Sequence, residues 1–295
     1  MKYRVTSGWV TLTTVAARLA GVPVRIHTFT GQVSATSHGA RRALLKAFER
    51  MIATSATDFL ADSGSQLEFL VAQGIVARER IQVLAHGSIC GVDIARFCPD
   101  GTSRNAVRKE LGAAVDARLL LFVGRFDRDK GVLDLPRAVV LLSAEHRPAL
   151  HLLFVGPDEG GVGPELRRIC GSPGLRLHIL GYSGQPERFM AAADVYCLPS
   201  YREGFGMALM EAASVRVPGV GSRVNGITDA IEEGVTGLFH EPGNIASLAA
   251  TLGQLLDHPD LRHAMGRAVR ERATRLFGKE LVTEAFVEYI NQAVS

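Results

Sequence analysis

The sequence predicts an α/β protein in which a short β/α segment precedes a doubly wound parallel sheet. Three observations predict it. Apolar runs at residues 119–123, 150–155 and 195–198 lack polar alternation, so they read as strands buried on both faces and therefore parallel. Segments of helical periodicity separate them, as right-handed crossovers require. The runs end in turn residues, Gly124-Arg125, Gly156-Pro157, Gly181-Tyr182 and the stretch 199–206, which places these turns on one rim. In such sheets ligands lie beyond the C-terminal strand ends.

Taken in order, residues 1–12 show no clear pattern, and residues 15–20 read as a helix end stopped by Gly21. Residues 22–28 read as a strand. Residues 39–53 form a helix with Leu44, Leu45, Phe48, Met51 and Ile52 on one side and Arg41, Arg42, Lys46 and Arg50 on the other. A short strand at 58–61, a helix opened by Ser63 and ending near Gly74, and a strand at 81–85 followed by His86-Gly87-Ser88 complete the first segment. Residues 91–102, with Gly91, Pro99 and Gly101, read as a linker.

The second half is more regular. Strands at 119–123, 150–155, 175–180, 195–198, 217–221 and 237–240 alternate with helices at 131–142, 164–170, 186–192, 207–214 and 226–232. Three helices close the chain, at 245–256, 259–275 and 279–293.

Composition narrows the functional classes. The 295 residues suit one large or two medium domains, and 47% hydrophobic residues supply a core. A net charge of +3 gives no reason to expect a nucleic-acid partner. Cys90, Cys98, Cys170 and Cys197 have neither paired nor metal-ligand spacing, which fits a reducing cytosol. No apolar run is long enough to span a bilayer, and residues 1–19 lack the apolar segment and cleavage site of a signal peptide.

The stretch 200–211, Ser-Tyr-Arg-Glu-Gly-Phe-Gly-Met-Ala-Leu-Met-Glu, carries the chemistry. It follows a buried strand and becomes a helix. Gly204 and Gly206 leave backbone N–H groups uncovered at the helix start, where the dipole favours an anion. Glu203 and Glu211 bracket that turn and suit hydroxyls rather than phosphate oxygens. Arg125 and Lys130 frame the loop after the strand at 119–123; a planar fork and a point charge both suit phosphate. With Asp127, Arg128 and Asp129 between them, the same spacing also suits a solvated charged loop. A helix beginning at Gly131 would add backbone donors.

Competing readings find less support. A nicotinamide site needs Gly-x-Gly-x-x-Gly and an acid some twenty residues on, and Gly204-Phe205-Gly206 lacks the third glycine. No Gly-x-Ser-x-Gly elbow supports a serine hydrolase. His151 and His178 sit on strands and read as core or rim residues rather than metal ligands.

Together these residues resemble a known family. The run 203–211 resembles the Glu-x7-Glu signature of retaining glycosyltransferases with the two-lobed GT-B fold. Residues 122–131, Phe-Val-Gly-Arg-Phe-Asp-Arg-Asp-Lys-Gly, are similar to the Gly-Arg-x4-Lys-Gly loop of family 4 of those enzymes, the glycosyl transferases group 1. Gly91-Val92-Asp93 with Phe97 looks like that family's linker, and Asn225-Gly226-Ile227 and Thr236-Gly237-Leu238-Phe239 match two later landmarks. His86-Gly87-Ser88 leans toward the bacterial surface-polysaccharide transferases. The resemblance extends over nearly the whole chain from Ala16.

The resemblance implies roles. Arg125 and Lys130 would bind and stabilise the donor diphosphate as it leaves, and Glu203 would contact the donor sugar. The amides of Gly204, Phe205 and Gly206 would meet its phosphate or sugar. Glu211 would hold the ribose, and Tyr182 would border the base. The implied donor is a nucleotide-diphosphate sugar, UDP-sugar first among them; the implied acceptor is lipid-linked or a glycan, and transfer would retain configuration without a metal or other cofactor. The implied organisation is a partial acceptor-side lobe over 1–98, a nucleotide-sugar lobe over 103–277, and a final helix, 278–295, packing back toward the first lobe. No opening strand with a glycine-rich turn is present, so a chain missing its natural beginning is expected, with a naturally small first lobe as the alternative. A donor-binding remnant without turnover, or an epimerase or phosphorylase of the same fold, are the alternative functions. A cytoplasmic protein is expected, with the basic face of the helix at 39–53 able to rest on anionic lipid.

Overall fold

A computed structural model describes residues 7–114, 116–142, 150–171 and 175–294. Two parallel sheets organise the chain. The first contains β1 (Ile26–Phe29), β2 (Asp58–Ala61) and β3 (Ile81–Val83) in that spatial order. The second has six strands: β4 (Arg118–Val123), β5 (Leu150–Val155), β6 (Arg176–Leu180), β7 (Val195–Leu198), β8 (Gly219–Ser222) and β9 (Gly237–His240). Their spatial order is β6-β5-β4-β7-β8-β9, and every pairing is parallel. The largely apolar and buried β4, β5 and β7 lie inside the sheet, as burial on both faces requires.

The helices of the first part are α1 (Ser7–Leu19), α2 (Gly39–Ser55) and α3 (Gly64–Ala72); those that follow are α4 (Gly101–Glu110), α5 (Asp134–Leu141) and α6 (Gly163–Ile169). Then come α7 (Pro186–Ala192), α8 (Met207–Ser214), α9 (Ile227–Ala230), α10 (Ile245–Asp257), α11 (Pro259–Leu276) and α12 (Lys279–Val294). Ser63 caps α3 by accepting from the Gln66 amide, and Asn244 caps α10 through Ser247.

Several expectations need correcting. Of the opening stretch without pattern, residues 1–6 lie outside the described residues, and the rest belongs to α1. The first strand begins at Ile26, not at residue 22, because Arg25 turns back to bond the 55–57 loop. The linker reading missed α4: Asp100 accepts from the Thr102 and Ser103 amides and starts a helix inside the glycine-bearing stretch. The helix expected from Gly131 starts at Asp134. Residues Arg128–Lys130 form a 3-10 turn instead, closed by Gly131 in the left-handed conformation (φ 61°). On α2, Leu44 and Met51 are exposed, at 58% and 44%. The buried stripe runs through Glu49, Ile52, Ala53 and Ser55, with Leu45 and Phe48 half-buried, one residue round the helix from the expected face.

The C-terminal helix α12 leaves the second sheet and packs on the first. Val282 and Tyr289 cluster with Leu60 and Leu84, flanked by Ile26 and Ala285. Connector and return cross once, where the Val92 amide donates to Phe277 O (2.8 Å) and the Lys279 amide donates to Val92 O (2.9 Å). Gly91 is needed there: it has φ 64°, and a Cβ would lie 2.7 Å from the Lys279 Cα.

Candidate active site

The strand order of the second sheet creates the site. The chain moves outward from β4 through β5 to β6, then returns to β7 on the other side of β4. The loops leaving β4 and β7 therefore diverge from adjacent strands, the switch point at which such sheets open a crevice. One loop carries Arg125 and Lys130; the other carries residues 200–206. They are tied together. The Tyr201 amide donates to Asp129 O (2.9 Å), and a Cβ on Gly131 would lie 1.9 Å from Pro199 O. Gly131 thus serves close approach and a left-handed turn, rather than opening a helix.

The crevice continues as a cleft of about 690 Å³ between the two sheets. Arg125, Lys130, Glu203, Gly204, Phe205 and Gly206 all line it. Lys130 Nζ donates to Glu203 Oε1 at 2.6 Å, and Ser200 Oγ donates to the same oxygen at 2.9 Å. Both ends of the ion pair are largely shielded, so the pair fixes each side chain more firmly than a surface bridge would. Arg125 is different. It reaches Glu159 at 3.2 Å with both side chains half exposed, a contact that an incoming anion can displace. Gly206 caps α8 with φ 80° and no side chain caps that end, and Gly206 and Met207, where the helix starts, line the cleft.

Phe205 contributes packing through its ring, which is buried 5.1 Å from Phe277. A Cβ on Gly87 would meet that ring at 2.7 Å, so the His86-Gly87-Ser88 turn docks one lobe on the other. Gly31 does the same on the opposite side, where a Cβ would lie 2.8 Å from Glu203 C and 2.9 Å from Gly204 N.

Two expected site residues stand apart from the lining. Glu211 is one turn further along α8, half-buried, and outside the residues that line this cleft. Burial pushes its carboxyl up to about 7, Arg96 acting to lower it and Glu187 to raise it. Tyr182, after β6, is 82% exposed and also outside the lining. β6 is the edge strand, two strands from the switch point, which explains the distance.

Arg202 and Asp62 are among the lining residues that sequence reasoning did not assign to the site. Arg202 donates to Asp129 (3.0 Å) and to Gly31 O (3.3 Å), bridging the lobes. Asp62, directly after β2, is 6% exposed, and burial followed by the Glu203 charge pushes its carboxyl up to about 7. Its signal was available: an acid at the C-terminal end of a short apolar strand, beside the Ser63 cap. His151 and His178 lie away from the site, stacked with their ring nitrogens 3.0 Å apart. Among the described residues no three His, Cys, Asp or Glu side chains are grouped to hold a metal ion.

Residues 103–272 match the family of glycosyl transferases group 1. The chain belongs to that family. It is 25% identical over 280 residues to the capsular polysaccharide biosynthesis glycosyltransferase CapM of Staphylococcus aureus, covering 94% of this chain and 73% of CapM. It is 33% identical over 233 residues to the D-inositol 3-phosphate glycosyltransferase of Corynebacterium efficiens, covering 76% of this chain and 54% of that protein. The chain thus spans about half the length of that relative. Anabaena HepE superposes with a TM-score of 0.83 at 20% identity, over 97% of this chain and 77% of HepE. That likeness shows the GT-B fold of this glycosyl transferases group 1 member: two α/β lobes with parallel sheets.

Proposed function

We propose that the protein transfers a sugar from a nucleotide-diphosphate sugar, UDP-sugar first among them, to a lipid-linked or glycan acceptor. One observation carries the reading: Arg125, Lys130, Glu203 and the 204–206 turn converge on one cleft at the switch point. Anabaena HepE, of the same fold, is described in complex with UDP and with UDP-glucose. CapM is described in capsular polysaccharide biosynthesis.

In the proposed chemistry the diphosphate sits against the α8 amides, with Lys130 and Arg125 offsetting the charge that grows as the glycosidic bond breaks. Glu203, held by Lys130 and Ser200, accepts from donor-sugar hydroxyls. The acceptor hydroxyl attacks from the face that the diphosphate leaves, so configuration is retained and its proton passes to the departing phosphate oxygen. Fixed cations and amides then supply the stabilisation, without a metal. Glu211 and Tyr182 belong to this reading as ribose and base contacts reached when the donor extends past the cleft along α8 and the β6 rim.

The site is proposed to work at the cytoplasmic face of a membrane. Arg42 and Lys46 of α2 are engaged by Gln73 and Arg41 lines the cleft, leaving Arg50 and the exposed Leu44 and Met51 as the lipid-facing candidates on that helix. No described helix is long and apolar enough to cross a membrane. Calorimetric titration with UDP and UDP-glucose, followed by an assay for UDP release, tests the proposal. Binding with release supports transfer, binding without release leaves a donor-binding lobe, and absence of UDP binding removes the nucleotide assignment. Release of free UDP together with an epimerised sugar would favour an epimerase.

A further inference from the structure

The wall of the cleft that faces the phosphate-side residues belongs to the first lobe, and a buried acid in it, Asp62, is unexplained by the proposed donor chemistry. Asp62 follows β2 at the C-terminal end of the strand, lines the cleft and is nine-tenths buried. Its main chain is pinned, because Ser88 donates its amide to Asp62 O at 2.6 Å. The side chain is not satisfied. Oδ1 has no hydrogen-bond partner. Oδ2 lies against the Gly204 α-carbon, where a Cβ would come within 2.1 Å of it. Gly204 therefore makes room for an acid from the other lobe.

Among the described residues no Lys or Arg forms an ion pair with this acid. Three of the cations that line the cleft are engaged elsewhere, Lys130 by Glu203, Arg125 by Glu159 and Arg202 by Asp129, and Glu203 adds a like charge. A buried carboxyl with a free oxygen beside a second carboxyl opposes folding. Such groups persist where a ligand completes them. An anion is a poor completion, because two acids repel it. A hydroxyl is a good one, since a carboxyl that holds its proton near neutrality can both accept from it and donate to it.

We infer that Asp62 and the Glu203–Gly204 turn form a hydroxyl-binding subsite across the lobe junction, in which Asp62 takes one hydroxyl of a sugar. The inference rests on the nucleotide-sugar reading above. The hydroxyl belongs either to the donor sugar or to the incoming acceptor, and both sources present the same chemistry to the carboxyl.

The test uses the full chain with Asp62→Ala and Asp62→Asn, titrated with UDP and with UDP-glucose, alongside UDP release from UDP-glucose and thermal melting. UDP affinity stays within about twofold of wild type, since UDP carries no sugar to be read. A donor-sugar hydroxyl shows as a loss of about tenfold or more in UDP-glucose affinity for Asp62→Ala. An acceptor hydroxyl, water included, shows instead as unchanged UDP-glucose affinity with release slowed by about tenfold or more. Asp62→Asn keeps an acceptor oxygen and restores part of either loss, while the melting temperature of both variants holds or rises because an unpaired buried acid is gone. A purely structural residue would lower melting and weaken UDP and UDP-glucose alike, which overturns the inference. So does wild-type behaviour of Asp62→Ala in every titration and in release. Where the wild type binds but releases no UDP, the affinity comparison alone decides. A wild type that binds no UDP removes the nucleotide reading before any variant is made, and this inference with it.

Discussion

Lys130 Nζ lies 2.6 Å from Glu203 Oε1, so the cation expected to meet a phosphate is held by the acid expected to meet a sugar. The pair couples the two halves of the proposed donor site. A phosphate oxygen arriving at Lys130 shares the ammonium with Glu203, and Glu203 is simultaneously aimed by that ammonium and by Ser200.

Lys130→Ala is expected to weaken UDP binding by about 10- to 100-fold, the range of a lost charge-assisted contact. Titration of UDP into the variant measures it. Unchanged affinity would remove Lys130 from the phosphate site.

Glu203→Gln is expected to act in the opposite sense on the nucleotide. It frees Lys130, so UDP binds as tightly as to wild type or several-fold more tightly. UDP release from UDP-glucose falls by about 100-fold or more, because the sugar loses its oriented acceptor. The split between UDP affinity and release is the diagnostic; parallel losses in both would argue against separate roles.

Arg125→Ala should cost less than Lys130→Ala, because Arg125 is half exposed and shares its charge with Glu159. A loss of about three- to tenfold in UDP affinity is expected at low salt, shrinking as ionic strength rises toward about 0.5 M. A salt-independent loss as large as that of Lys130→Ala would contradict the difference in exposure.

Glu211 gives a pH-dependent expectation. Burial raises its carboxyl from the ordinary value of 4.5 to about 7, so between these values the folded chain holds a proton that the unfolded chain has lost. Its contribution to stability is full at low pH and is lost as pH rises through about 7. His27 and His151, held down near 4 by burial, act in the opposite sense below about pH 6.5, so the wild-type curve mixes both. The difference isolates Glu211: Glu211→Gln should melt like wild type near pH 4, below the ordinary value of 4.5, and above it near pH 8. An equal gap at both pH values would show that the carboxyl is not held protonated.

Much of the fold was legible because it rests on local pattern. The strands Leu150–Val155 and Val195–Leu198 and the helices Pro186–Ala192 and Met207–Ser214 fall where largely apolar runs and helical periodicity place them. The misses have physical reasons. α4 was hidden because its sequence, Gly-Thr-Ser-Arg-Asn-Ala-Val-Arg-Lys-Glu, has little apolar periodicity and depends on its Asp100 cap and on tertiary contact with α7. Leu44 and Met51 share a helix face with each other but not with Leu45 and Ile52, and only packing reveals which stripe is inside.

The candidate site was legible in part. Arg125, Lys130, Glu203 and the glycine turn are named by residue type at strand ends, and the strand order brings their loops together. That order, with β7 beside β4 rather than β6, is a non-local fact that no local window contains. Asp62 escaped for the same reason: its importance depends on Gly204, 142 positions away along the chain (204 − 62).

The crossing at Val92 and Gly278 assigns the last helix to the first sheet. Synthesis on a ribosome therefore leaves β1, β2 and β3 with one flank bare until α12 emerges. A nascent chain halted before residue 279 should stay protease-sensitive around β2 and β3 even when the six-stranded body is already compact. The first-lobe wall of the cleft is then expected to firm up only after α12 has docked.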